Sequence, residues 1–576
     1  MIKAIINKLG QEKFGIVFLT IYCLVLSLQG FDLCDEGLVL STSQQIFHAP
    51  ESVEFFFLWY LTGLIGGIWE FFFGWGGYLS FRLLNLIFVL STYHLLYQIF
   101  KGYTNARILI LLGYFMLLSI DPYFIVFHYN RLTSFLGVAM CAALLRAYKE
   151  NDAMSTKWLY WASFIYGLLI FARLTNVCFG GVVGAAILFH VFKERSIQNL
   201  FKYVVCGFSG LISAVILLAG FMWIAGHLDV FISCMKYNLF SAVDSSSSSH
   251  NLGYLLHVYT IQYKGLLIIA TKIVIPTLVS TLIVRKVPKL VIPAAFLMSF
   301  SVFWMLIRVD TTYIIYVISF LISILSIYKF HSDYRRTYLL TISFFLAVLF
   351  PIGSDNGLTI GHHLLTCLLI LSLINYSQFV KGFTPAVESL YKYAGILSII
   401  IFLGFTLSKV PFSCYFDEGS RLEKRYQITQ SDLANTFTSQ EKAQAIDTLL
   451  IHLKPYIHEG DYTLFFKNLP MLHYMTRTKP YLHCPWVFCY AADYLRMQFE
   501  RSEREIPVMP VLVREKGCLP GSDWTIVSDK WDRTDFEDDY LNKSESIAVI
   551  QDFIKRHNYH IVWENNLFAI YLPGEK

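Results

Sequence analysis

Three carboxylates fall within five residues in Phe31-Asp32-Leu33-Cys34-Asp35-Glu36-Gly37, directly after an apolar run over 14–28. A carboxylate is costly near hydrocarbon, so one at that depth marks a candidate working site. Asp35 and Glu36 suit two roles. Asp35 can cap a short helix over 36–47 with Glu36 in its first turn. Either can also act as a general base or anchor a metal, and capping does not exclude that chemistry. Asp32 would stand beside them. Cations near the outer face are few, so they stand out. Arg131, in His128-Tyr-Asn130-Arg131, is placed about two turns, or roughly 10 Å, into an apolar run. Arg173 ends the next one, in Phe171-Ala-Arg173. Arg82 and Arg308 sit at the ends of runs, where reaching to headgroups explains them. His362 and His363 follow the turn-like Gly353-Ser-Asp355-Asn356-Gly357. A turn of this kind does not require two histidines just inside an apolar run, so both are candidate ligand-binding residues. A divalent metal shared with a carboxylate is a second use for them, although no ligand spacing calls for a metal.

The elements that must hold these residues are membrane helices. Hydrophobic residues make up 56% of the 576 and charged residues 15%, against about 25% charged in soluble chains; the mean hydropathy is +0.52. Roughly thirteen spans are expected from runs of about 17–25 residues, at 14–30, 79–100, 106–121, 124–146, 157–173, 175–192, 202–225, 263–284, 290–308, 311–328, 337–351, 358–378 and 391–409. Lys and Arg gather in alternate loops: Lys101 and Arg107; Arg146 and Lys149; Lys193 and Lys202; Arg285, Lys286 and Lys289; Arg335 and Arg336; Lys381 and Lys392. That alternation puts the N-terminus in the cytoplasm and residues 31–78, 226–262 and 411–576 outside. The net charge of +5 does not point to nucleic acid, because the basic residues lie in these short loops. The run 55–73 breaks the alternation if it crosses. It carries Glu54 and Glu70 at its ends and Trp59, Tyr60 and Trp69 within, so it is expected to lie in the outer interface. The second external loop holds Lys236, Tyr237 and a serine run, which reads first as a mobile polar loop and second as one that orders over an active site on substrate binding.

From about residue 411 charge rises and the pattern becomes that of a folded α/β or α+β domain. Helices are expected over 431–453 and 544–556, strands over 462–466 and 506–513, and a closing hairpin over 559–572. Cys484 and Cys489 could pair with each other or with Cys414 or Cys518.

The acidic pair Asp35-Glu36 just after the first helix, the long first external loop, about a dozen helices and an external tail together resemble the GT-C superfamily of membrane glycosyltransferases. The layout is similar to that of protein O-mannosyltransferases and bacterial lipid A aminoarabinose transferases, with topology matching over 1–410. The tail stretch 468–480 resembles the strand–turn–helix of such bacterial enzymes. The first loop departs from them in lacking a proline-rich patch near a lysine. The resemblance implies a polytopic helical fold in the cell (inner) membrane with an extracytoplasmic tail. It implies an inverting hexosyl or pentosyl transfer from a polyprenyl-phosphate-linked sugar to a lipid, glycan or protein acceptor, with membrane lipids as further partners. In that frame Asp35 and Glu36 are catalytic; Arg131, Arg173, His362 and His363 hold the donor phosphate; and Asp32, His128, Asn130, Lys236, Tyr237, Asp355 and Asn356 line the acceptor cavity. Two other readings remain. A lipid-linked glycan ligase or polymerase usually places its key residues in a late loop and lacks a long folded tail. A transporter tends to show internal repeats and midplane polar residues, neither of which this sequence has.

Overall fold

The computed structural model describes residues 10–149, 154–194, 196–239, 252–354, 356–417, 419–487, 490–516 and 543–574. Every one of the thirteen apolar runs carries a helix. In chain order these are α1 (Gln11–Ser27), α4 (Gly77–Phe100), α5 (Ile108–Leu118), α6 (Tyr129–Ala147), α7 (Thr156–Ala172), α8 (Gly180–Glu194) and α9 (Gln198–Ile224). They continue with α11 (Leu252–Lys286), α12 (Val291–Leu306), α13 (Thr311–Phe330), α14 (Tyr334–Leu349), α15 (Thr366–Val380) and α16 (Pro385–Ser408). Between them lie α2 (Asp35–Gln45), α3 (Tyr60–Phe73) and α10 (Leu228–Cys234). Among the described residues seven helical stretches are long and apolar enough to cross a bilayer, or eight if one bent pair is a single span. The chain is a multi-pass membrane protein, and its lipid-facing side chains are correspondingly exposed: Ile216, Phe208 and Ile212 on α9 and Leu278 and Leu282 on α11.

Three boundaries differ from the sequence expectation, each for a local reason. The runs 106–121 and 124–146 lose their adjoining ends, because residues 119–128 form no helix. Pro122 disfavours helix in the residue before it, and the amides of Ile125 and Val126 donate to the Glu36 carboxylate instead of to a preceding turn (3.3 and 3.2 Å). Arg131 therefore sits in the first turn of α6 rather than two turns deep. The expected loop 226–262 is shorter, since α11 begins at Leu252 and runs unbroken through Pro276 to Lys286. The serine run lies outside the described residues. The expected span 358–378 is a short 3-10 segment, Gly357–His363, bent by 72° against α15.

The run 55–73 folds as a 3-10 stretch, Pro50–Trp59, followed by α3. Fourteen residues of α-helix rise about 21 Å, short of the roughly 30 Å hydrocarbon layer. The first half of α3 is buried, and Phe71, Phe72 and nearby Trp75 project outward.

The tail builds a five-stranded mixed sheet in the order β2-β1-β3-β5-β4. Here β1 is Tyr462–Phe466, β2 Lys479–Pro480, β3 Val511–Glu515, β4 His560–Glu564 and β5 Phe568–Leu572. β1 runs parallel to β2 and β3, and β5 is antiparallel to β3 and β4. Helices α17 (Gln440–Leu453), α18 (Met471–Thr476), α19 (Ala492–Glu505) and α20 (Lys543–Arg556) complete it. Ser439 caps α17 through the Lys442 amide, so that helix starts later than 431. The 506–513 strand is displaced to Val511–Glu515, past Pro507 and Pro510. The closing hairpin is present. Cys414 and Cys484 are buried free thiols, and Cys489 and Cys518 lie outside the described residues.

The first long loop does not stand apart from the tail. Phe31, Leu33, Leu38, Val39, Leu40 and Phe56 share one apolar core with the tail residues Leu464, Phe466, Met471 and Leu472. Gly37 is where they meet most closely: a Cβ there would lie 2.3 Å from the Met471 amide nitrogen. The Met471 amide also donates to Leu33 O, and Ser41 Oγ to Pro470 O.

Candidate active site

The acidic loop is held by Asp32, not by Asp35. Asp32 is fully buried, and its carboxylate accepts from the amides of Cys34 (2.7 Å) and Glu36 (2.8 Å), so from two residues ahead of the N-cap, Cys34, it satisfies an open amide in the first turn of α2. Burial, followed by the charges of Asp35 and Glu36, raises its pKa well above the usual carboxylate range, against those two amide bonds. Asp35 is the first residue of α2, so its side chain is not spent on capping.

Glu36 is also buried, at 1% exposure, and pairs with Arg82 at 3.4 Å. Its second oxygen takes the Ile125 and Val126 amides. Burial raises its pKa and Arg82 opposes that. Arg82, whose position suggested a surface cation, is buried instead. It donates to the carbonyls of Ser27, Gln29 and Gly30 at the end of α1 and to Tyr78 Oη, a favourable place for a cation. Glu36 thus fastens three elements: the end of α1, α2 and the extended segment before α6. Arg308 is exposed over the Trp304 ring, as a headgroup-facing cation would be.

Asp35 alone of the three carboxylates is half-buried. Its Oδ2 accepts a hydrogen bond from Tyr415 Oη, which the tail supplies 380 residues later. Burial and then the charge of Asp35 raise the Tyr415 phenol pKa, so the phenol stays protonated and donates. Asp417, two residues on, accepts from the Phe31 amide at 2.9 Å, and Lys442 donates to Phe31 O. The same tail loop therefore grips the start of the acidic segment and the side chain of Asp35.

From Tyr415 a run of ring contacts leads to the cationic cluster. Tyr415 packs edge-on against Phe124 (centroids 4.9 Å), Phe124 on His128 (4.3 Å), and His128 on His363 (5.7 Å). The His362 and His363 rings lie 4.1 Å apart, tilted by 39°. Arg131 lies with both histidines along a tight cleft of about 10 Å³ that also takes in Tyr114, Asp121 and Thr366. Arg131 is buried and fixed by Asn85 Oδ1 at 2.9 Å. Arg173 is buried beside the Tyr129 and Phe350 rings, at 5.9 and 5.3 Å; Phe350 in turn contacts His363. The structure so brings Arg131, Arg173, His128, His362 and His363 together, with Asp35 two rings from His128.

Two polar atoms on the cleft residues are buried without a partner: His362 Nε2 and Thr366 Oγ1. His362 Nδ1 is engaged with Thr359 O at 3.0 Å. With its Nδ1–H given to Thr359 O, the neutral His362 ring offers Nε2 as an acceptor, while the Thr366 hydroxyl can donate. An unmade hydrogen bond at a buried polar group costs about 1–3 kcal/mol, so the Thr366 hydroxyl suits an acceptor-rich ligand such as a phosphate.

The other expected cavity residues divide. Asn130 is buried with an unpartnered Oδ1. Lys236 and Tyr237 belong elsewhere: Tyr237 lies under the Arg501 guanidinium of the tail (4.7 Å), and Lys236 donates to its hydroxyl. Asn356 is exposed on a turn whose carbonyl takes Gln262 Nε2, and Asp355 lies outside the described residues. Sequence reasoning passed over Asp121, Asn85, Thr366 and Tyr415. Asp121 carried a signal, being an acidic residue before proline between two apolar runs. Among the described residues no three of His, Cys, Asp and Glu converge as a metal-binding group.

No protein-family model matches this chain, and no curated protein matches it. Among the solved structures that resemble it are two of ArnT from Cupriavidus metallidurans. The form bound to undecaprenyl phosphate shares 12% identity at a TM-score of 0.40, and the apo form 11% at 0.41; each match covers 96% of this chain and 97% of that one.

Proposed function

We propose that the protein is a membrane glycosyltransferase that moves a hexosyl or pentosyl unit from a polyprenyl-phosphate donor to a hydroxyl acceptor with inversion. The observation that carries this reading is the pairing of one half-buried carboxylate, Asp35, with a neighbouring cleft lined by Arg131, His362 and His363, against which His128 and Arg173 pack through His363 and Phe350. The GT-C-like layout of the sequence supports it.

In this mechanism the acceptor oxygen attacks the anomeric carbon as its proton passes to Asp35. The bond from that carbon to the phosphate oxygen breaks, and the electron pair leaves with the polyprenyl phosphate. Arg131 and the Thr366 hydroxyl stabilise that charge at short range, with Arg173 behind His363, and His362 joins them when its Nε2 takes up a proton. Such fixed donors act without reorganising as charge develops. Tyr415 holds the Asp35 carboxylate in one rotamer, and Glu36 acts through Arg82 and the 119–128 segment as a positioning residue. The acidic loop and the tail lie on the outer face of the cell membrane, with α3 in the interface and the N-terminus in the cytoplasm. The acceptor is a lipid, glycan or protein hydroxyl entering beside Asp35 and Asn130.

The test is transfer in detergent from undecaprenyl-phosphate-linked sugars, read as released undecaprenyl phosphate. Wild type should release it and Asp35→Asn should not. Equal rates for the two proteins would overturn the assignment of the base.

A further inference from the structure

α16 delivers the chain to the tail, so its first residue lies at the opposite end of the bundle from Asp35. There the last turn of α11 and the start of α16 border an open groove of about 640 Å³, lined by Val284, Arg285, Pro288, Phe383, Thr384 and Ala386. Charge and apolar surface converge on it. The two connections that flank it carry Arg285, Lys286, Lys289 and Lys381. The nearby carboxylate, Glu388, is paired with Lys392 at 2.5 Å. Arg285 is exposed and crowns a helical stripe, because Ile275, Leu278, Leu282 and Arg285 recur at the spacing of one face of α11. The three apolar members are each more than half exposed. On α16 Tyr393, Ile396 and Ile400 form a second stripe, also more than half exposed, leading away from the same groove.

A basic slot at the head of two lipid-facing stripes has the shape and chemistry of a phospholipid seat. A free anion would use the slot and leave the stripes unexplained. We propose that the groove binds the headgroup of an anionic phospholipid, with its acyl chains laid along α11 and α16. Basic pockets between membrane helices bind anionic headgroups with about 1 kcal/mol per cationic side chain, roughly a fivefold change in affinity for each cation removed. The site is separate from the donor cleft, and its occupancy does not depend on the proposed transfer.

The full-length protein, delipidated in detergent and titrated with dioleoyl phosphatidylglycerol or dioleoyl phosphatidylcholine, should retain the anionic lipid preferentially by native mass spectrometry. Arg285→Gln should weaken that retention about fivefold, whereas Lys101→Gln, on another basic loop, should not. Leu282→Asn leaves the charge in place and should also weaken it. Both groove variants change exposed side chains, and an unaltered melting temperature will confirm that they fold. Equal retention of the two lipids, or full retention by Arg285→Gln, would overturn the proposal. Displacement of the lipid by millimolar inorganic phosphate, with Leu282→Asn behaving as wild type, would overturn it in favour of a simple anion site.

Discussion

Asp35, Glu36 and Asp32 share a loop but not a job, and single substitutions should separate them. Asp35→Asn keeps size and leaves the Asp32 hydrogen bonds intact, so the protein should fold normally. Loss of a general base should lower turnover by roughly two to four orders of magnitude, measured as initial rate at saturating donor. Glu36→Gln should behave differently. It leaves Arg82 buried at 2% exposure without its carboxylate, and breaking such a pair costs about 3–5 kcal/mol. Its melting temperature should fall well below that of Asp35→Asn, with activity lost through misplacement. A further residue offers a pH readout. Glu515, buried at the end of β3, has its pKa pushed up to about 7 by burial, with Lys467 opposing. A carboxyl whose folded pKa is raised binds protons more tightly folded than unfolded. The tail should therefore be more stable near pH 5 and lose about 3 kcal/mol as pH rises through 7. Thermal melts from pH 5 to 8 should show that slope, and Glu515→Gln should flatten it.

Helices were legible where hydropathy and backbone agree, and the exceptions lie at the site. Residues 123–127, Tyr-Phe-Ile-Val-Phe, read as membrane helix by composition. Their amides are instead taken by Glu36 and by Phe81 O, contacts a hydropathy window cannot see. The break between His363 and Thr366 escaped for the same reason, since both halves are apolar. Asp35 and Arg131 could be singled out because a charge beside hydrocarbon is conspicuous. Tyr415 could not, because a tyrosine is ordinary in the tail and its partner is 380 residues away. The register of α2 against the tail makes a prediction at this scale. With the Met471 amide nitrogen 2.3 Å from a Cβ at position 37, Gly37→Ala must push α2 off α18. Overpacking of this kind costs about 1–3 kcal/mol. Because Asp35 sits half a turn away on the same helix, the rate should fall with stability, and Ala at Gly404, where nothing lies within 4 Å, should change neither.

At the scale of the whole molecule the tail is bolted to the membrane part at two places, and the second lies away from Asp35. There Glu54 of the 3-10 stretch, Ser233 of α10 and Arg501 of α19 meet. Arg501 forks onto both Glu54 oxygens at 3.1 and 2.8 Å, and Ser233 Oγ and Asn238 Nδ2 also donate to them. Both charges are nearly buried, at 9% and 1% exposure. The bidentate geometry fixes direction as well as distance, so this pair sets how the tail sits over the first loop and therefore where Tyr415 meets Asp35. Arg501→Met leaves Glu54 charged in a closed site and should destabilise docking by about 3–5 kcal/mol. Limited proteolysis of the tail should accelerate and turnover should fall, although neither residue touches the cleft. Adding Glu54→Leu removes the stranded charge and should restore much of the protease resistance, because an apolar replacement of a buried pair is often neutral or better. A non-additivity of about 1–3 kcal/mol between the two substitutions is expected from a direct pair. If the double variant is as labile as Arg501→Met alone, the ion pair does not govern docking, and the apolar contacts of Leu33, Leu38 and Met471 must hold the tail by themselves.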